Sequence, residues 1–218
     1  MIHHHTLPVT RTARYCRIGR ISPAVRELWL CCHGYGQLAR RFARPFEVLE
    51  AEHRLLLFPE GLSRFYWGKF TGPPVASWMT KEDRLDEIAD YSAYLSNLLA
   101  QYREQLAPGV RVTVFGFSQG VQTIFRWLLR ERPDFHHLVA YAGTTPEDLD
   151  YRAARDYLAD KTYTFAYSPA DPLFTAARHT WQRDFAREAG LPFRWLTYEG
   201  AHEVTAGALR AIAGGLPG

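Results

Sequence analysis

Short runs of apolar, β-branched and aromatic residues recur at 27–32, 54–58, 111–115, 138–142, 163–167 and 193–198. Runs of this length and composition predict buried strands. Between them, apolar residues take helical spacing over about 37–50, 81–105, 121–130, 151–159, 173–189 and 203–213. Strand and helix alternate, which predicts an α/β fold with a mostly parallel sheet and helices on both faces. Parallel neighbours need crossover connections, and those connections are overwhelmingly right-handed. Residues 15–21 are expected to add an antiparallel edge strand. The one long segment without periodicity is 59–80, rich in Gly, Pro and aromatic residues. A loop that long inside a compact domain marks function. No repeat, linker or shift of composition divides the chain, so one domain over 1–218 is expected, with a flexible terminus over 1–14.

Composition narrows the partners. With 26 Lys and Arg against 23 Asp and Glu, a net charge of +3 does not point to nucleic acid or to an anionic membrane. Arg40, Arg41 and Arg44 fall on an amphipathic stretch and read as its solvated face. Three cysteines, two of them adjacent at Cys31 and Cys32, offer neither a disulfide framework nor metal-ligand spacing. That usage suits a reducing, cytoplasmic setting. The start of the chain lacks the apolar core of a signal peptide, and no apolar run reaches the roughly 18 residues of a membrane span. His3, His4 and His5 are assigned no role. The aromatic content is compatible with a homodimer.

The sharpest chemical signal is Gly116-Phe117-Ser118-Gln119-Gly120, placed directly between the run at 111–115 and the helical spacing from Val121. A serine on a tight strand-to-helix turn is held in a strained conformation with its hydroxyl exposed at the sheet edge. The glycines leave room for the turn. The helix N-terminus and the Gln119 backbone N–H are then poised to stabilise an oxyanion. Such a serine needs a base and an orienting acid, and the chain supplies them in the order serine, acid, histidine. Asp171 lies in Ser168-Pro169-Ala170-Asp171-Pro172 and His202 in Glu199-Gly200-Ala201-His202, each just beyond a strand. In an open parallel sheet those strand ends share one edge, where ligands bind. His33-Gly34-Tyr35-Gly36, after the strand at 27–32, is expected to give the second oxyanion donor, the Tyr35 N–H.

Other readings of single residues are weaker. An Asp-Pro pair is commonly a turn former. His53, His136 and His137 precede strands and belong at the opposite sheet edge, and His179 falls within a helix. Glu199 and Glu203 flank the base without a strand-helix unit between them. Consecutive cysteines in a buried strand are small core fillers rather than nucleophiles.

On His33-Gly34, Gly116-Phe117-Ser118-Gln119-Gly120, Asp171-Pro172 and Gly200-Ala201-His202, the chain resembles the carboxylesterase, phospholipase and acyl-protein thioesterase branch of the α/β-hydrolases over roughly residues 27–213. The resemblance implies an α/β-hydrolase fold without a separate cap domain and a serine hydrolase acting on carboxylic esters or thioesters through an acyl-enzyme. The triad chemistry calls for no metal or organic cofactor, and the expected partner is a small-molecule ester or thioester. The resemblance also implies an oxyanion hole from the residues after His33-Gly34 and after Ser118. Two features depart from that branch. Residues 33–37 lack the acidic residue common after its glycine, and 59–80 does not follow its usual acyl-binding loop. Tyr66, Trp67 and Trp78 of that segment are expected to wall an apolar acyl pocket, with an aromatic minicore as the alternative. The rival functions are hydrolysis of an amide or C–C bond, and a catalytically silent binding scaffold.

Overall fold

A computed structural model describes residues 1–215. The strands in chain order are β1 (Tyr15–Ile18), β2 (Glu27–Cys32), β3 (Arg54–Pro59), β4 (Ser63–Tyr66), β5 (Pro74–Ser77), β6 (Arg111–Phe117), β7 (His137–Tyr141), β8 (Thr162–Tyr167) and β9 (Arg194–Thr197). The helices are α1 (Ala39–Phe42), α2 (Arg84–Arg103), α3 (Gln119–Glu131), α4 (Arg155–Leu158), α5 (Ala176–Glu188) and α6 (Ala206–Gly214). Seven strands form one sheet in the order β1-β3-β2-β6-β7-β8-β9. Only β1 runs antiparallel, paired with β3 at the edge, and every other pairing in that sheet is parallel. No helix among the described residues is long and apolar enough to cross a membrane.

Alternation along the central strands explains why both sheet faces are covered. Leu28, Leu30 and Cys32 point into a core with α2, α3 and α5. Trp29 and Cys31 point into a second core with α1, Phe46, Leu49 and α6. Successive side chains of a strand take opposite faces, so the adjacent cysteines serve two different cores. Both are fully buried, and burial pushes both thiols well above the ordinary value, which removes them as nucleophiles.

The elements differ from the periodicity at five places, four of them with a local cause. The stretch 37–50 splits into α1 and a 3-10 helix over Arg44–Leu49. Pro45 at its first turn has no N–H with which to continue an α-helical ladder. Over 151–159 only α4 is α-helical, because Asp150 Oδ1 accepts from Ala153 N at 2.9 Å and makes a turn first. Helices α5 and α6 start later than their apolar spacing, where Thr175 and Thr205 accept from Arg178 N and Ala208 N. The segment 59–80 is not irregular. It carries the hairpin β4–β5, with Ser63 opposite Ser77 and Tyr66 opposite Pro74. The hairpin docks on the residues after β2 through the Gln37–Ala76 bridge and a Gly36 N to Ala76 O bond of 2.9 Å.

Helix α3 leaves the sheet with almost no space at its first turn. A Cβ on Gly120 would lie 2.2 Å from Cys32 O, whereas one on Gly207 in α6 would meet nothing within 4 Å. Gly120→Ala is therefore expected to lower stability by about 2 kcal/mol or more. Gly207→Ala should be neutral or up to about 1 kcal/mol stabilising. Urea unfolding of the two variants checks the contrast, and equal midpoints would contradict it.

Candidate active site

Ser118 follows β6 at the centre of the sheet and precedes α3, with φ 52° and ψ −115°. That positive φ is unfavourable for a residue with a Cβ and costs of the order of 1–3 kcal/mol. The turn is held by Ser118 N donating to Tyr141 O (2.9 Å) and Val121 N donating to Ser118 O (3.0 Å). It also needs bare neighbours. A Cβ on Gly116 would come within 2.5 Å of Gly120 O, and one on Gly143 within 2.4 Å of Ser118 O.

Residues from two further strand ends meet this serine. His202 Nε2 lies 2.9 Å from Ser118 Oγ, and His202 Nδ1 lies 2.7 Å from Asp171 Oδ2. The Asp171 side chain is fully buried and that of His202 is 20% exposed. Asp171 Oδ1 accepts from Leu173 N at 2.8 Å, so both carboxylate oxygens are engaged. The ring of Phe117 lies against the imidazole, with centroids 4.9 Å apart.

The loops that carry Asp171 and His202 are tied together by a residue that carries no sequence signal of its own. Buried Ser168 donates from Oγ to Gly200 O at 2.5 Å and accepts from Ala170 N at 3.1 Å. It thereby joins the Asp171 turn to the segment two residues before His202. Tyr141 Oη accepts from Thr205 N (3.1 Å) and Tyr198 Oη donates to Ala201 O (3.3 Å), anchoring the histidine loop from behind. Glu203 Oε1 accepts from Ala201 N, and neither Glu203 nor Glu199 pairs with the imidazole among the described residues.

The turn after β2 abuts Ser118. A Cβ on Gly34 would lie 3.2 Å from Ser118 Cβ. Gly34 N donates to Gln37 Oε1 at 2.8 Å. His33 Nδ1 lies 2.7 Å from Gly34 O, and its Nε2 accepts from Gly61 N at 3.0 Å, which assigns the proton to Nδ1. Gly34 O and the Tyr35 N–H belong to one trans peptide and point in opposite directions. The buried imidazole, by holding the carbonyl, turns the Tyr35 N–H away from itself. Neither the Tyr35 N–H nor the Gln119 N–H donates to a protein acceptor among the described residues, as expected for Gln119 in the first turn of a helix.

The Gln119 side chain has a further task that the motif alone does not reveal. Its Oε1 accepts from Trp78 N (3.2 Å), and its Nε2 donates to Met79 O (2.8 Å). The end of the hairpin segment is thus fastened to the turn that holds Ser118.

The three aromatic residues expected at the substrate separate. Trp78 is 1% exposed, donates from Nε1 to His33 O at 2.9 Å and packs on His33 and Tyr91. It is a buried residue behind the turn after β2, and the cavity that it borders, with Leu62, Tyr94 and Leu98, includes neither Ser118 nor His202; apolar character alone does not reveal this. Trp67 is half-exposed and packs with Phe65 around the Tyr35 ring, at centroid distances of 5.7 Å and 5.5 Å. Gly36, at φ 74°, leaves the space that the Trp67 ring fills. Tyr66 alternates to the other face of β4 from Phe65 and is more exposed.

The remaining histidines lie elsewhere. His136 accepts from Val112 N at the far end of β6, and His179 on α5 stacks on Tyr167 at 3.8 Å. His137 begins β7, buried, with Nε2 on Thr164 Oγ1 at 2.9 Å. Burial lowers His33 and His137 alike to about 4. The unfolded chain titrates them near the ordinary value of about 6.5. Their contribution is complete above about pH 6.5 and is lost as pH falls toward about 4, because only the unfolded state takes up these protons in that window. Each is expected to cost up to about 3 kcal/mol of stability across it. Urea midpoints measured between about pH 7 and pH 5 should fall with pH, and less steeply in His137→Gln. A flat profile would contradict this.

No family model matches the chain, and no curated protein matches its sequence. Solved structures do match. An acyl-protein thioesterase 2 from Zea mays superposes with a TM-score of 0.72 at 16% identity, covering 93% of this chain and 97% of that one. The esterase PE8 gives 0.68 at 17%, covering 94% and 97%. A phospholipase/carboxylesterase from Dyadobacter fermentans gives 0.65 at 15%, covering 95% and 98%. With the parallel sheet, its antiparallel first strand and the serine turn at its centre, these superpositions identify the architecture: the chain has the α/β-hydrolase fold.

Proposed function

We propose that the protein is a serine hydrolase that cleaves carboxylic esters or thioesters through an acyl-enzyme on Ser118. The observation that carries this reading is the continuous chain of contacts from Asp171 through His202 to Ser118, at 2.7 Å and 2.9 Å. Esterases and a thioesterase among the structural neighbours support the same class of chemistry. We further propose that residues 1–218 form one domain working in the cytoplasm.

In this mechanism Ser118 Oγ attacks the acyl carbon while His202 Nε2 takes the hydroxyl proton. Asp171 accepts the Nδ1 hydrogen bond, which fixes the tautomer and stabilises the imidazolium. The carbonyl oxygen becomes an oxyanion between the Tyr35 and Gln119 N–H groups, and losing one such donor typically costs about 10²–10³ in turnover. The bond to the leaving oxygen or sulfur then breaks, and that atom takes the proton from His202. Water attacks the acyl-enzyme with the same histidine as base, releasing the acid and restoring Ser118. Nucleophile, base and charge stabilisation all come from this chain's own groups.

Hydrolysis of p-nitrophenyl esters from acetyl to decanoyl, and of matching acyl thioesters, tests the reading. Wild-type turnover that falls by about 10⁴ or more in Ser118→Ala is expected. A folded wild type without turnover on any of them would contradict it.

Ser168 acts in this account as a positioning residue. Ser168→Ala is expected to reduce kcat about tenfold with KM nearly unchanged and to shift the pH profile of kcat/KM. A lowered melting temperature with kcat and pH profile unaltered would assign Ser168 a structural role only.

A further inference from the structure

Beside His202, between its loop and the turn after β2, lies a cavity of about 350 Å³. Phe42 and Pro45 form one apolar wall, and Pro74 and Val75 of the hairpin form another. This size falls within the roughly 300–1,000 Å³ typical of small-molecule sites. In acyl transfer the imidazole that takes the serine proton must deliver it to the leaving atom. The remainder of the leaving group therefore extends from a point next to His202, and His202 is part of this cavity's lining.

The cavity also holds a cation. Arg41 lines it, and neither Arg41 nor its neighbours Arg40 and Arg44 forms an ion pair among the described residues. All three are exposed. Arg41 alone of the three lines the cavity and gives it an unpaired positive charge. A guanidinium also presents planar paired donors that match a carboxylate or phosphate. Glu203 reaches the cavity as well, with Oε1 turned back to Ala201 N at 3.4 Å. An anion in the cavity is thus drawn to the Arg41 end and kept from the Glu203 end.

We infer that this cavity is a leaving-group subsite for an alcohol or thiol that bears an anionic group, carboxylate or phosphate, with Arg41 as the residue that selects it. The inference rests on the hydrolase reading above and deepens it. It also gives a use to Arg41, which the amphipathic pattern assigns only to a solvated face.

The test compares acetyl esters that differ only in the leaving phenol: 4-acetoxybenzoate, 4-acetoxyphenyl phosphate and the neutral 4-acetoxybenzamide. Wild-type kcat/KM is expected to favour an anionic leaving group, with the better of benzoate and phenyl phosphate identifying the anion. In Arg41→Gln that preference should fall by about tenfold, while the neutral ester, which also reports folding, keeps its rate. Added salt should weaken the wild-type preference, and Glu203→Gln should strengthen it. Equal kcat/KM on charged and neutral esters, or a preference that survives Arg41→Gln, would overturn the inference while leaving the hydrolase intact. An Arg41 effect that follows a carboxylate on the acyl part, read with a monosuccinyl ester of a neutral phenol, would overturn it too. Absence of hydrolysis of all these esters by the folded wild type would bring down the hydrolase reading itself.

Discussion

The backbone of Ser118 sits at φ 52° and ψ −115°, and the rest of the site is built to hold it there. A side chain in that conformation lacks the intrinsic preference to stay, so the surroundings must impose it. They do so with two backbone hydrogen bonds and with Gly116, Gly120 and Gly143, each placed where a Cβ would collide with backbone. The turn belongs to β6, the middle strand, and its neighbours β2 and β7 both contribute. Tyr141 at the end of β7 receives the Ser118 N–H through its carbonyl, and its hydroxyl anchors the histidine loop. The residues after β2 press Gly34 against the serine. One strained residue thus depends on three strands at once.

The other parts of the site are arranged by buried and half-buried polar groups that bond to backbone. His33 holds the peptide that carries the Tyr35 N–H. Gln119 fastens the end of the hairpin segment, and Ser168 spans from the acid turn to the base loop. A buried polar group left without a partner costs about 1–3 kcal/mol, so each of these bonds resists opening. That resistance holds the donors and acceptors in place, and in the proposed reaction a preoriented dipole need not reorganise. The Asp171 side chain is withdrawn from solvent entirely, while His202 retains a partly open edge, which is the difference the proposed roles require.

Much of this was legible in the chain. Buried strands declare themselves as short apolar runs, and their strand-to-loop borders put Ser118, Asp171 and His202 at one sheet edge. The hairpin β4–β5 was not legible, because Pro74 and the exposed aromatics mask a two-residue alternation. Trp78 shows a different limit: an aromatic residue reads alike whether it faces a pocket or a core, and the choice is made by its indole N–H finding the His33 carbonyl. Ser168 and the side-chain role of Gln119 left no pattern, since a polar side chain bonded to a distant carbonyl has no sequence period. Helix ends followed local chemistry at Pro45, Asp150, Thr175 and Thr205 in place of the apolar repeat.

The central claim is that Ser118 is a nucleophile activated through His202. Reaction with a fluorophosphonate, followed by peptide mass mapping, tests it most directly. The account predicts a single phosphonyl adduct on Ser118 in the wild type, absent in Ser118→Ala and formed at least about 10²-fold more slowly in His202→Ala. A folded wild type that takes no adduct, or takes it on another residue, would contradict it.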